Sequence, residues 1–317
     1  MVIQSMIFIL GLLVLLPSTS LLVKLSKLLA NKLRVSPLIT GVTIVALGTS
    51  LPELAVSATA AISNDYGLAI GNIIGSNISN VLLVLPIGIL IGKLRIGTTK
   101  TQRTTTALAI ISVVFFILYI FKVSSFFSGI LLIGLGILVT FLEYKWGVEG
   151  GSHEDAFWVR KQQNESKDFT LISLLTLFLS LIGIMLGGIL IVKSTENLSE
   201  LSGYSTAILG LSLTAIATSL PELLTTIFSQ NENEEKLTLG NIIGSNMYNL
   251  TIIGGVSAFF SQAVDLFVTD WIWFAFATLT IFSIVKIFKN ITVPKSVGVI
   301  LLLLMGLYLY SLTFIRV

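Results

Sequence analysis

The sequence predicts an all-α polytopic membrane protein with ten transmembrane helices arranged as two inverted-topology repeats of five. Three observations predict it. Of 317 residues, 54% are hydrophobic and only 11% charged, whereas soluble domains carry roughly a quarter charged residues. Apolar runs long enough for a helix of about 20 residues recur along the whole chain, at 3–29, 37–62, 67–91, 104–122, 126–143, 170–197, 205–229, 237–261, 270–288 and 296–315. Finally, one stretch is written twice. TSLPEL at Thr49 to Leu54 and GNIIGSNISN at Gly71 to Asn80 return as TSLPEL at Thr218 to Leu223 and GNIIGSNMYN at Gly240 to Asn249, every matching pair 169 residues apart. Five segments separate equivalent helices, an odd number, so the second copy enters the membrane upside down relative to the first. The period-2 alternation of an outer-membrane barrel is absent.

These observations divide the chain into a first repeat at 1–143, with its motif at 41–80, a cytoplasmic linker loop at 144–169, and a second repeat at 170–317, with its motif at 210–249. The first segment has no basic n-region of the kind a signal peptide carries, and Lys24 lies in register with Lys193 of the sixth segment, so a retained helix is expected. Lys24, Lys27, Lys32 and Arg34 close that segment and place the first loop in the cytoplasm. With both termini outside, 16 of the 19 basic residues fall in or beside cytoplasmic loops, which is the distribution that sets orientation.

In the second segment Pro52 precedes Glu53, and the seventh repeats the pair as Pro221 and Glu222. A helical proline removes one backbone hydrogen bond and frees a carbonyl; at membrane depth such backbone is tolerated where it lines a cavity or is buried in protein. A lone membrane proline reads as a packing kink, but the repetition points to a site. After a short outside turn at Asn64 and Asp65, the third segment carries Asn72, Ser76 and Asn80 at i, i+4, i+8, a single polar stripe. Gly71 and Gly75 beside it allow close helix approach. On one helix such a stripe reads as packing glue; Asn241, Ser245 and Asn249 repeat it. The fourth and fifth segments are scaffold, with hydroxyls at Thr104 to Thr106. The linker holds the only histidine, His153, and the acidic Asn231 to Glu235 stretch reads as a solvated turn.

A charged side chain inside the bilayer costs between about 3 and 10 or more kcal/mol, and Glu53 and Glu222 incur this cost twice. Thr49 and Ser50 share a helix face with Glu53, as Thr218 and Ser219 do with Glu222. With no cysteine in the chain, two carboxylates, hydroxyls and amides suit a hard cation bound by oxygen, Ca2+ or Na+ rather than Mg2+. Inverted repeats bring such faces together at the midplane.

Both copies resemble the alpha repeats of the cation/calcium exchanger family, and the ten segments with a short linker are similar to its prokaryotic sodium/calcium exchanger-like members. The resemblance covers nearly the whole chain. It implies an antiporter exchanging Na+ for Ca2+ by alternating access, with the first and sixth helices sliding across the bundle. It also implies an ion site formed by Thr49, Ser50, Glu53, Ser76 and Asn80 with Thr218, Ser219, Glu222, Ser245 and Asn249, completed by the backbone carbonyls of Ala46 and Ala215. One departure stands out. Sodium/calcium members commonly have Asp where this chain has Asn249, and potassium-dependent members have Asp in both copies.

Other readings fit less well. A proton/calcium or other cation/calcium antiporter is the alternative within the class, and a cation channel with the same oxygen ligands the alternative outside it. An enzyme is not expected: the membrane segments hold no histidine to pair with serine, no HExxH and no pair of aspartates. The expected partners are Ca2+, Na+ and the lipid bilayer, with no nucleic acid; no cofactor is expected beyond the transported ions, and the chain is expected to act as a monomer. The orientation is testable with single cysteines. Asp65→Cys and His153→Cys should label from opposite sides of the membrane; labelling of both from one side would overturn the ten-segment topology.

Overall fold

The computed structural model describes residues 2–33, 45–96, 99–149, 170–201, 203, 205–231, 235–260 and 266–314. Helix is found in each of the ten predicted segments, although 34–44, which includes the beginning of the second, lies outside the described residues. Among the described residues seven helices are long and apolar enough to cross a membrane by length and composition. The eighth, within 235–260, is too polar for that criterion because Asn241, Ser245, Asn246 and Asn249 stand in its middle.

The motif helices are not single kinked rods. In the second segment Ala46–Thr49 ends at Ser50 (φ −85°, ψ 7°) and Leu51–Ile62 begins anew. The seventh repeats the break at Ser219 (φ −79°, ψ 4°), between Ala215–Thr218 and Leu220–Asn231. Pro52 and Pro221 therefore occupy the first turn of a new helix, where the missing N–H is no loss. The third and eighth segments widen into π-helical turns at Asn80–Val84 and Asn249–Ile253, each opening on the last amide of the polar stripe. A further π turn, Gly210–Thr214, precedes the break in the seventh. Between the second and third segments Asn64 turns through φ 63°, and Asp65 accepts from Leu68 N at 3.1 Å to start Tyr66–Ser79.

The first and sixth helices stand outside the largest hydrophobic cluster, although Leu15 of the first packs on Ala217 of the seventh. The largest hydrophobic cluster draws on the third to fifth and seventh to tenth segments, through Ile74, Phe115, Leu132, Leu211, Leu250, Phe274 and Tyr308, and among the described residues takes none from the first or sixth. Val2–Leu33 and Leu171–Glu200 instead share a cluster of Leu22, Leu25, Leu177 and Ile184. Close backbone crossings hold the motif helices to one another. A Cβ on Gly75 would lie 2.7 Å from Leu211 O and from Ala215 Cβ, and one on Gly210 would lie 2.8 Å from Leu68 O. The third segment thus rests directly on the π turn of the seventh, whose Leu211 carbonyl accepts from Tyr308 OH at 2.6 Å.

One boundary differs from the sequence reading. The fifth helix runs Ser125–Glu149, six residues into the predicted 144–169 linker; no proline or glycine pair stops it before Gly150. The rest of the linker, with His153, lies outside the described residues. The fourth segment serves as scaffold through a polar contact as well: Thr104 Oγ1 donates to buried Glu143 at 2.8 Å, joining fourth to fifth. At the same end of the molecule Arg95–Ile96 pairs antiparallel with Ile291–Thr292, and Arg95 N donates to Glu235 at 2.9 Å.

Gly75→Ala should lower the unfolding free energy in detergent by about 1–3 kcal/mol, the usual cost of overpacking. Gly306, where an added Cβ would meet nothing within 4 Å, is the control, and Gly306→Ala should be neutral or stabilising by up to about 1 kcal/mol. Equal thermal midpoints for the two variants would contradict the close crossing.

Candidate cation-binding site

The two helix breaks face each other at the centre of the bundle, flanked by the polar stripes of the third and eighth segments. Thr49, Glu53, Ser76, Asn80, Thr218, Glu222, Ser245 and Asn249 are fully inaccessible, and Ser50 and Ser219 nearly so. The breaks turn the hydroxyls of one copy onto the carboxylate of the other. Ser50 Oγ donates to Glu222 Oε1 at 3.1 Å, and Ser219 Oγ to Glu53 Oε1 at 3.4 Å.

The stripes complete the crossing. Thr49 Oγ1 donates to Asn241 Oδ1 at 3.1 Å and lies 3.4 Å from Ser245 Oγ. In the mirrored arrangement Thr218 Oγ1 donates to Asn72 Oδ1 at 3.2 Å and lies 3.4 Å from Ser76 Oγ. Symmetry then fails in several places, two of them at the carboxylates and at the ends of the stripes. Ser245 Oγ donates to Glu222 Oε1 at 3.1 Å, so this carboxylate receives two hydroxyls. Asn80 Nδ2 donates to Asn246 Oδ1 at 2.9 Å, whereas Asn77, the counterpart of Asn246, donates to Ile73 O at 2.8 Å.

Four oxygens at the centre have no hydrogen-bond partner among the described residues: Glu53 Oε2, Glu222 Oε2, Asn80 Oδ1 and Asn249 Oδ1. They come from mirrored positions, two carboxylates and two amides. Among the described residues no lysine, arginine or histidine is buried, so no basic side chain offsets the two negative charges. Removing one carboxylate from water without a partner costs several kcal/mol or more. Uncommitted oxygens from carboxylate and amide, with hydroxyls alongside, make the donor set of a hard cation.

Eight of the ten side chains expected at the site contact one another here, and Asn80 and Asn249 are buried at the ends of the flanking stripes. The two expected carbonyls are positioned beside it but already engaged: Ala46 O accepts from Ser50 N at 3.0 Å and Thr49 Oγ1 at 3.3 Å, and Ala215 O from Ser219 N at 3.0 Å and Thr218 Oγ1 at 3.3 Å. A threonine hydroxyl has one hydrogen to give, and in both copies its amide acceptor is nearer than this carbonyl. Asn72, Asn241 and Asn246 stand outside the expected ligand set, yet each bonds a member of it. Their signal is present in the sequence, since GN and GSN recur in both copies.

Glu53→Gln and Glu222→Gln each keep the shape of the site and halve its charge. Each should abolish Ca2+ binding measured by calorimetry on purified protein. Ser50→Ala should weaken binding by about 1 kcal/mol, the typical net worth of one hydrogen bond. Unaltered affinity in either glutamine variant would remove the carboxylates from the site.

Comparison with known proteins agrees with this geometry. A family model described as sodium/calcium exchanger protein matches residues 4–145 and 172–314, one stretch around each copy of the motif. The chain is 28% identical over 310 residues to the sodium/calcium exchanger MaX1 of Methanosarcina acetivorans, covering 81% of this chain and 83% of that protein. It is 32% identical over 261 residues to the inner membrane protein YrbG of Escherichia coli, covering 81% and 80%. A solved structure of the sodium-calcium exchanger NCX_Mj, soaked with 2.5 mM Na+ and 0.1 mM Ca2+, matches over 100% of both chains with a TM-score of 0.77 and 26% identity. Buried mirrored carboxylates, ten helices in two inverted repeats and these matches lead to one conclusion: the chain belongs to the sodium/calcium exchanger family.

Proposed function

We propose that this protein is an antiporter exchanging Na+ for Ca2+ across a cell membrane, by alternating access at the site between the two helix breaks. The observation that carries the reading is the set of four buried, unpartnered oxygens around two carboxylates with no basic neighbour. Thr49, Ser50, Glu53, Ser76 and Asn80 with Thr218, Ser219, Glu222, Ser245 and Asn249 are the ion ligands. The carbonyls of Ala46 and Ala215 join them when the threonine hydroxyls rotate away. The protein works as a monomer in the bilayer, without a cofactor, both termini outside and the linker in the cytoplasm; the charge distribution of the loops supports that orientation.

Coupling follows from electrostatics. Asn80 and Asn249 are neutral, so the ligands carry two formal negative charges, from Glu53 and Glu222. One Ca2+ neutralises them, and so do two Na+. The site without ions would hold two unpaired carboxylates out of water, a state costly enough to keep it from crossing between the two faces. Exchange, rather than net release, is the consequence. The first and sixth helices, which share a cluster apart from the main core, are the elements that move.

In proteoliposomes an outward Na+ gradient should drive saturable Ca2+ uptake, with neither a K+ nor a pH gradient able to replace it. Uptake driven equally by a pH gradient without Na+ would make the protein a proton/calcium exchanger, and non-saturating flux without a counter-ion would make it a channel. Asn249→Asp tests the missing acid. Protonated Asp has nearly the shape of Asn, so this variant should match the parent in acid and diverge from it as pH rises and the added carboxyl ionises.

A further inference from the structure

Beyond the ion site the two copies differ along the half-helix that follows each carboxylate. From Glu222, positions i+3, i+4, i+7 and i+8 of Leu220–Asn231 are Thr225, Thr226, Ser229 and Gln230, which share its face. All four are buried. Thr225 Oγ1, Thr226 Oγ1, Ser229 Oγ and Gln230 Oε1 have no hydrogen-bond partner among the described residues. The matching positions after Glu53 are Val56, Ser57, Ala60 and Ala61, and the one hydroxyl there, on Ser57, accepts from Asn72 Nδ2 at 3.0 Å.

The helix ends differ in the same sense. Ala60, Ala61, Leu68 and Ala69 close the first copy with a dry cluster. Their counterparts are Ser229, Gln230, Leu237 and Thr238, where Gln230 Nε2 donates to Thr238 Oγ1 at 3.0 Å. Membrane serines and threonines commonly return the hydroxyl to the carbonyl four residues back. Thr105, Thr140 and Thr251 do so here, whereas Thr225, Thr226 and Ser229 do not. An unpartnered buried polar group costs about 1–3 kcal/mol, and only the second copy bears that cost along this face.

A stripe from Glu222 to Gln230 spans about 12 Å of helix axis, most of the half-thickness of a hydrocarbon core about 30 Å thick. We infer that Thr225, Thr226, Ser229 and Gln230 line the path by which the cation travels between the site and the face bearing the 231–235 connection, the cytoplasmic face. Uncommitted hydroxyl and amide oxygens replace hydration water along this path, as the alanines of the other copy cannot, and the Gln230 to Thr238 bond closes it. This inference rests on the proposed exchange only for the identity of the traveller.

The chain has no cysteine, so Ser229→Cys and Thr226→Cys each introduce a single thiol. In oriented proteoliposomes during exchange, a membrane-impermeant methanethiosulfonate should modify both from the cytoplasmic side only, with loss of transport. The double variant Ser229→Ala with Gln230→Ala, which copies the dry first half, should exchange more slowly with unchanged Ca2+ affinity. Thiols inert from both sides in a transporting protein, or modified only from outside, overturn the inference, as does a double variant of full rate. Should the parent fail to exchange any cation, side-specific modification still reports whether the stripe opens to water, so the two failures are distinguishable.

Discussion

Two carboxylates held out of water without a basic partner are the constraint on which the rest of this structure depends. Glu53 and Glu222 are fully buried at mirrored positions, and every unusual local feature around them serves to surround them with oxygen. The helix breaks at Ser50 and Ser219 aim one copy's hydroxyl at the other copy's carboxylate. The crossing at Gly75 and Gly210 brings the third segment against the seventh closely enough for Thr218 to reach Asn72 and Ser76. Without those glycines the stripes and breaks would stand too far apart to share hydrogen bonds.

The site is built by symmetry and then departs from it. Hydroxyl-to-carboxylate and threonine-to-asparagine bonds occur in mirrored pairs, whereas the amides that end the two stripes have different fates. Asn80 is held by Asn246, which leaves its Oδ1 as the uncommitted atom; Asn249 has neither amide atom engaged among the described residues. Glu222 receives two hydroxyls and Glu53 one. A fixed amide and a free one, a heavily hydrogen-bonded carboxylate and a lightly bonded one, make the two halves of the cluster unequal.

Much of this is legible in the sequence because a spacing of 169 residues repeats residue types as well as hydropathy. The ten segments and the inverted relation follow from the repeat, and Thr49 to Asn80 matching Thr218 to Asn249 pairs the polar side chains gathered between the breaks. What is not legible is geometry without a compositional mark. A proline signals that a helix is disturbed, yet not that it restarts at Leu51 after a break at Ser50. A π turn at Asn80 followed by four ordinary apolar residues looks like helix in any window. Asn72 and Asn241 read as stripe members, and only the crossing of the copies makes them acceptors for the threonines. The helix reaching Glu149 escapes a hydropathy reading because the apolar run ends at Glu143 while the backbone still has no reason to stop.

The short antiparallel ladder of Arg95–Ile96 with Ile291–Thr292 has a mechanical meaning. It fastens a connection of the first repeat to one of the second by backbone bonds, with Glu235 at the start of the eighth segment gripping the same strand. At that end the two repeats are riveted, so they cannot rock apart about their shared axis as two rigid jaws without shearing main-chain hydrogen bonds. The first and sixth helices take no part in this ladder, and they meet each other through the aliphatic side chains of Leu22, Leu25, Leu177 and Ile184, so a shift of that pair would leave every directional bond of the ladder intact.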